Sequence, residues 1–140
     1  PEKIGVRIHY DYLVIALGSK TNFFGLKDVE KNSFTMKTLA DAISLRNRLI
    51  DMLEQAENEK NPKIKQRLLT FVIVGGGFAG VETAGEINDF LHDAVSYYHN
   101  TKKEDVQVIL VEALSTILPG FNERLTEYAH NTIDRYQIHW

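Results

Sequence analysis

The chain has 140 residues, of which 44% are hydrophobic and 25% charged, with a net charge of −3; that is the composition of a soluble folded domain long enough to bury a core. No basic excess argues for a nucleic-acid partner, no run approaches the roughly 20 apolar residues that cross a bilayer, and Pro1 opens no signal peptide. Zero cysteines exclude a disulfide framework, a thiolate metal site and a redox disulfide within these residues.

In chain order, Val6-Arg7-Ile8-His9-Tyr10 and Tyr12-Leu13-Val14-Ile15-Ala16-Leu17 read as two strands ended by Gly18-Ser19. A turn-rich stretch through Thr21-Asn22-Phe23-Phe24-Gly25 follows, in which Phe23 and Phe24 either flank a ring system or simply pack against the turn. Near Phe34 the organisation changes. Thr38-Leu39-Ala40-Asp41 has the form of a capping box, and Leu39, Ala42, Ile43, Leu49, Ile50 and Leu53 then recur at helical spacing, which predicts a helix over about 38–59. Asn61-Pro62 breaks it, and the basic cluster Lys60, Lys63, Lys65 and Arg67 reads as a solvated loop.

The apolar run Leu68 to Val74 passes directly into Gly75-Gly76-Gly77-Phe78-Ala79-Gly80, a GxGxxG spacing on Gly75, Gly77 and Gly80. The three glycines play different parts. Gly75 turns off the strand, Gly77 lets backbone approach a pyrophosphate, and Gly80 lets helix lie on strand. A helix starting here directs its unpaired N–H groups and positive dipole end at the phosphates. A phosphate loop of the GK[ST] type is excluded, because Val81-Glu82 follows Gly80. The helix carries the apolar stripe Val81, Ala84, Ile87, Leu91, Ala94, Val95 and Tyr98, expected to pack on a sheet over 79–99.

A second strand, Val106 to Val111, ends in Glu112, an acid placed to accept the ribose hydroxyls of an adenosine moiety and to repel a 2′-phosphate, so NADH is expected over NADPH. Glu112 follows Gly80 by 32 residues, more than the roughly 20 usual for this fingerprint, and Asn88 to Asp105 supplies the excess. After the turn at Pro119-Gly120, Asn122 caps a third helix whose Leu125, Tyr128, Ala129, Thr132, Ile133 and Tyr136 are expected to face inward. Gln137-Ile138-His139-Trp140 is the stump of a third strand. The order strand, helix, strand, helix, strand predicts an α/β, Rossmann-like parallel sheet with flanking helices, incomplete as half of a doubly wound fold.

These residues carry a resemblance. Tyr10 to Ser19 (YDYLVIALGS), Thr21-Asn22-Phe23-Phe24-Gly25, Lys37-Thr38-Leu39-Ala40-Asp41-Ala42, the GGGFAGVETAGE block, Leu110-Val111-Glu112 and Ile117-Leu118-Pro119-Gly120-Phe121 together resemble the middle of a flavin-dependent NADH dehydrogenase. The broader match is the two-dinucleotide flavoprotein family; the TNxFG, KTLxDA and LPxF elements are most similar to its type II, single-subunit NADH:quinone oxidoreductases. The resemblance implies an enzyme at a membrane surface, on the cytoplasmic face in a bacterial parent, that takes hydride from NADH onto FAD and passes electrons to a quinone. It implies that Ala16, Leu17, Gly18 and Ser19 lie near FAD, and that Gly75, Gly76, Gly77, Phe78, Ala79, Gly80 and Glu112 hold NADH. Glu82 resembles the family glutamate near nicotinamide and flavin; the competing reading is a first-turn acid that favours the helix dipole. Glu86, one turn on, reads as structural.

On this resemblance residues 1–36 are the tail of the FAD domain with its crossover, and 37–140 are part of the NADH domain. Only one glycine fingerprint is present, so the chain reads as a fragment, inactive by itself, without bound FAD, and touching a membrane only through parts beyond it. Residues 6–17 are then expected to pair with a free edge of the strand at 71–74 or to mediate self-association. No metal site is expected from the five histidines, which show no HExxH or i, i+4 pair, and Ser19 and Ser115 lack GxSxG context for hydrolase chemistry. The alternatives are a non-catalytic nucleotide-binding or regulatory module, and another NADH-dependent FAD oxidoreductase of the same superfamily.

Overall fold

A computed structural model describes residues 5–140. The chain divides into two units, Pro1–Ala42 and Ile43–Trp140.

In the first unit, residues 6–17 form neither of the two expected strands. Their apolar side chains stand open to solvent, with Leu17 94% exposed. β-propensity expresses packing against cross-strand neighbours, and among the described residues this run pairs with no strand that could supply them. Phe24 adopts φ 51° with its N–H on Asn22 Oδ1 at 2.9 Å; its ring is exposed, so it does not pack against the turn. A short helix α1, Lys27–Asn32, follows with no buried residue.

The capping box forms as expected. Thr38 Oγ1 accepts the Asp41 N–H at 3.1 Å, and Asp41 Oδ2 accepts the N–H groups of Thr38 and Lys37, both at 2.9 Å. Helix α2 then runs Leu39–Asn58, and its second-unit portion buries Leu49, Leu53 and Ala56, one face at helical spacing.

Beyond the break, Asn61 caps a helix where a loop was expected: α3, Pro62–Leu68, with Asn61 Oδ1 on the Lys63 N–H and Pro at the first turn, where a missing N–H costs nothing. Lys63, Lys65 and Arg67 therefore lie on a helix. Lys65 also donates to the Asn100 carbonyl and sits 3.9 Å from Asp105, so it is a fastening as well as a surface charge.

Strand β1, Thr70–Val74, leads through the glycine turn to α4, Phe78–Ala94, and after a 3-10 turn at Val95–Tyr97 and another at Lys103–Asp105 the chain enters β2, Gln107–Val111. β1 and β2 pair in parallel from Thr70↔Gln107 to Val74↔Val111. On the opposite edge of β2 the stump at the end of the chain makes a single parallel bridge, Ile109↔His139. Phe71, Ile73, Val108 and Leu110 share the sheet face packed with Ala84, Ile87 and Leu91 of α4. The other face holds Val72, Val74 and Val111, at 56%, 65% and 46% exposure. Among the described residues β1 pairs only with β2, so its second edge is open.

Helix α5, Glu123–Arg135, is capped by Asn122 through the Leu125 N–H at 3.0 Å. Of its expected inward residues Ile133 is buried, Ala129 packs on the core and Thr132 is half-buried, whereas Leu125, Tyr128 and Tyr136 are exposed. The apolar stripe on α5 is wider than the strip of sheet beneath it, and its margins stay uncovered.

Candidate functional site

The glycine turn is held by hydrogen bonds that leave one row of donors free. Gly75 takes φ 112°, a backbone that side chains rarely adopt, and donates to the Val111 carbonyl at 2.8 Å. Gly76 donates to Glu112 Oε2 at 2.6 Å and accepts from the Leu118 N–H at 2.7 Å. Val81 donates to the Gly77 carbonyl at 3.0 Å, which starts α4. Among the described residues the N–H groups of Gly77, Phe78, Ala79 and Gly80 make no hydrogen bond in this geometry, as the first turn of a helix dictates.

Space around the glycines differs from one to the next. A Cβ on Gly77 would meet nothing within 4 Å, so room lies open beside the free donors. A Cβ on Gly80 would stand 1.6 Å from the Gly75 carbonyl oxygen, so only glycine lets α4 approach the strand end this closely. The arrangement can bind a diphosphate by backbone alone.

Glu112 stands at the end of β2 against this turn. Its Oε1 accepts the Leu114 N–H at 3.0 Å while Oε2 holds Gly76; these bonds, Leu114 first, hold its carboxyl below the ordinary glutamate pKa. A carboxylate has about four acceptor positions, so two remain for ribose hydroxyls. A Cβ on Gly76 would come within 3.0 Å of the Glu112 Cβ, so this glycine also keeps the acid close.

Phe78 and Ala79 occupy the first turn of α4, both exposed, and Glu82 follows with its side chain in solvent. Glu86 lies one turn further on. The Phe78 ring meets Phe121 edge to face at 4.8 Å.

Phe121 belongs to a loop whose importance the sequence does not announce. Residues 113–121 fold back over the turn: Ile117 is fully buried in the core, Leu118 takes φ 50° to aim its N–H at Gly76, and Thr116 Oγ1 lies 3.1 Å from His130 Nε2 on α5. Pro119-Gly120 signals the bend, but nothing in the spacing says that it closes on Gly76.

In the other unit, Ala16, Leu17, Gly18 and Ser19 are exposed and irregular. Gly18 has φ 74°, and Ser19 Oγ accepts from Lys37 Nζ at 2.9 Å, which ties this segment to the capping box.

A parallel pair with a glycine turn leading from its first strand into the crossover helix, a row of free N–H groups and an acid at the end of the second strand define a dinucleotide-binding α/β unit. The chain belongs to the pyridine nucleotide-disulphide oxidoreductase family, whose model matches residues 2–140. Within it the likeness is to type II NADH:quinone oxidoreductases. The chain is 38% identical over 137 residues to an external alternative NADH-ubiquinone oxidoreductase, mitochondrial, of Yarrowia lipolytica, covering 98% of this chain and 24% of that protein. It is 42% identical over 130 residues to an external alternative NAD(P)H-ubiquinone oxidoreductase, mitochondrial, of Arabidopsis thaliana, covering 91% and 22%. NDH2 of Plasmodium falciparum, solved in complex with NADH, superposes with a TM-score of 0.81 at 29% identity, covering 96% of this chain and 27% of that one. The chain thus spans about a quarter of the length of the curated relatives it matches.

Proposed function

We propose that this chain is the NADH-binding part of a flavin-dependent NADH dehydrogenase that reduces a quinone. The observation that carries the reading is the row of free N–H groups at Gly77, Phe78, Ala79 and Gly80 beside an open Gly77, with Glu112 fixed at the adjoining strand end. The turn binds the pyrophosphate, and Glu112 accepts the adenosine ribose and sets a preference for NADH over NADPH. Relatives named NADH-ubiquinone oxidoreductases and a neighbour solved with NADH support it. FAD, which Ala16, Leu17, Gly18 and Ser19 would help to hold, would supply the hydride-accepting and electron-transferring chemistry between NADH and quinone.

Glu82, in the first turn of α4, orients the nicotinamide end toward the flavin, and Ala16, Leu17, Gly18 and Ser19 lie beside the flavin nucleotide. On this reading residues 1–36 serve the FAD domain and 37–140 the NADH domain, and residues 1–140 by themselves bind NADH without turnover. No described helix is long and apolar enough to cross a membrane. Several relatives are named mitochondrial, which favours a peripheral position on a mitochondrial membrane.

Gly77→Val tests the core of the proposal. A side chain there fills the space for the pyrophosphate and leaves β1 intact, so calorimetry on the full-length protein should find NADH binding abolished with the fold retained. Retained affinity in the micromolar range would overturn the reading.

A further inference from the structure

His130 sits on α5, away from the glycine turn in sequence, yet a continuous chain of contacts joins the two. Thr116 Oγ1 lies 3.1 Å from both the Ile117 carbonyl and His130 Nε2, and a hydroxyl, which both donates and accepts, can pair with either tautomer of the imidazole. Nδ1 is buried and makes no hydrogen bond among the described residues, and the ring lies against Trp140 with centroids 4.2 Å apart. The histidine ring therefore has one polar partner among the described residues, and that partner is Thr116.

Thr116 begins the segment whose next two residues carry the strain and the contact. Ile117 is fully buried, and Leu118 takes φ 50°, a left-handed backbone that strains a non-glycine residue, with its N–H on the Gly76 carbonyl at 2.7 Å. Gly76 in turn donates to Glu112. Backbone strain of this kind persists only where the surroundings over-determine it, and beside the packing of Ile117 in the core cluster that holds Ile133, the contact from His130 to Thr116 is the side-chain hydrogen bond among the described residues that joins this loop to α5.

We propose that His130 is a positioning residue for the adenosine half of the bound dinucleotide, acting through Thr116 and Leu118 on the Gly76 peptide and so on the Glu112 carboxylate. It touches no ligand itself. The inference rests on the NADH reading of the site.

The test compares two ligands on the full-length protein by fluorescence titration: NADH and reduced nicotinamide mononucleotide, which lacks the adenosine half. His130→Ala should weaken NADH about fivefold, the loss of one ordinary hydrogen bond, and leave the mononucleotide unchanged; ADP-ribose should lose affinity in step with NADH. His130→Gln, whose amide can either donate to or accept from the Thr116 hydroxyl, should restore NADH affinity to within about twofold. Thr116→Val removes the hydroxyl with little change of shape and should reproduce the selective loss if His130→Ala fails to fold. Unchanged NADH affinity in both variants, an equal loss for both ligands, or failure of His130→Gln to rescue would overturn the proposal. Wild-type protein that binds no NADH would instead refute the function proposed for the site, and this inference with it.

Discussion

Two glycines five residues apart on α4 make opposite claims on the same substitution. At Gly80 an added Cβ would lie 1.6 Å from the Gly75 oxygen and 2.8 Å from its carbon. Real Cβ contacts stay beyond 3.0 Å, so helix and turn must separate by roughly 1.4 Å. Overpacking of this kind costs about 1–3 kcal/mol, against a helix-propensity gain of about 1 kcal/mol for Ala over Gly. A net loss of up to about 2 kcal/mol follows for Gly80→Ala. The displaced N–H groups also leave hydrogen-bond range of any phosphate, so NADH affinity should fall at least about tenfold, or 1.4 kcal/mol. At Gly85 a Cβ meets nothing within 4 Å, and Gly85→Ala should stabilise the helix by about 0.5–1 kcal/mol with NADH binding unchanged. Denaturant unfolding and NADH titration of both variants in the full-length protein provide the assay. A Gly80→Ala protein of wild-type stability and affinity would refute the packing argument, as would a destabilised Gly85→Ala.

Glu112→Arg removes the ribose acceptor and supplies a cation, and should shift preference from NADH toward NADPH; titration with both nucleotides checks it, and an unchanged ratio would show that Glu112 does not meet the ribose. Among the described residues three carboxylates are held below their ordinary pKa: Asp41 by the N–H groups of Lys37 and Thr38, Glu112 by those of Leu114 and Gly76, and Glu57 where desolvation, the largest single cause, raises the pKa but hydrogen bonds from Asn100, His99 and Thr101 together outweigh it. Because the folded pKa is the lower, their stabilisation is present above the unfolded value of about 4 and is lost as pH falls through the folded values. Urea midpoints should therefore drop on acidification below about pH 4.5, and Glu57→Gln should flatten that drop; an identical pH profile in the variant would count against Glu57 as a contributor. Asn61→Ala should cost about 1 kcal/mol through the lost cap of α3, readable as a lower denaturation midpoint.

What is legible in the sequence is whatever is encoded locally. The capping box at Thr38 and Asp41, the Asn122 cap, the stripe on α4 and the glycine spacing are each set by neighbours within a turn or two, and all of them form. The strand reading of residues 6–17 fails because a strand needs a partner, and period and β-propensity do not say whether one is there. α3 escapes notice although Asn61-Pro62 is a start signal, because four basic charges in eight positions read as solvated loop. On α5 the stripe is visible in the spacing but the width of its cover is not, hence the exposed Leu125, Tyr128 and Tyr136. At the candidate site the backbone parts of Gly75, Gly77 and Gly80 are readable from spacing, whereas Leu118, Phe121, Thr116 and His130 arrive by tertiary folding and leave no periodic trace.

The fixed register of β1 on β2 joins residues 37 apart, Thr70 to Gln107 through Val74 to Val111, and this bears on how the unit assembles in time. Closing a loop of that length costs about 3 kcal/mol of chain entropy on the logarithmic scaling, before any ladder bond is rewarded. Glu57 meets the chain partway along that excursion, its carboxylate accepting the N–H groups of His99 and Asn100 at 2.9 Å, while Lys65 takes the Asn100 carbonyl. The returning segment is thus moored to α2 and α3 just before β2 begins, which shortens the stretch left to search for its register. A helix that precedes the nucleotide-binding motif in sequence thus holds, in the folded unit, the chain that the parallel pairing of β1 and β2 must bring back.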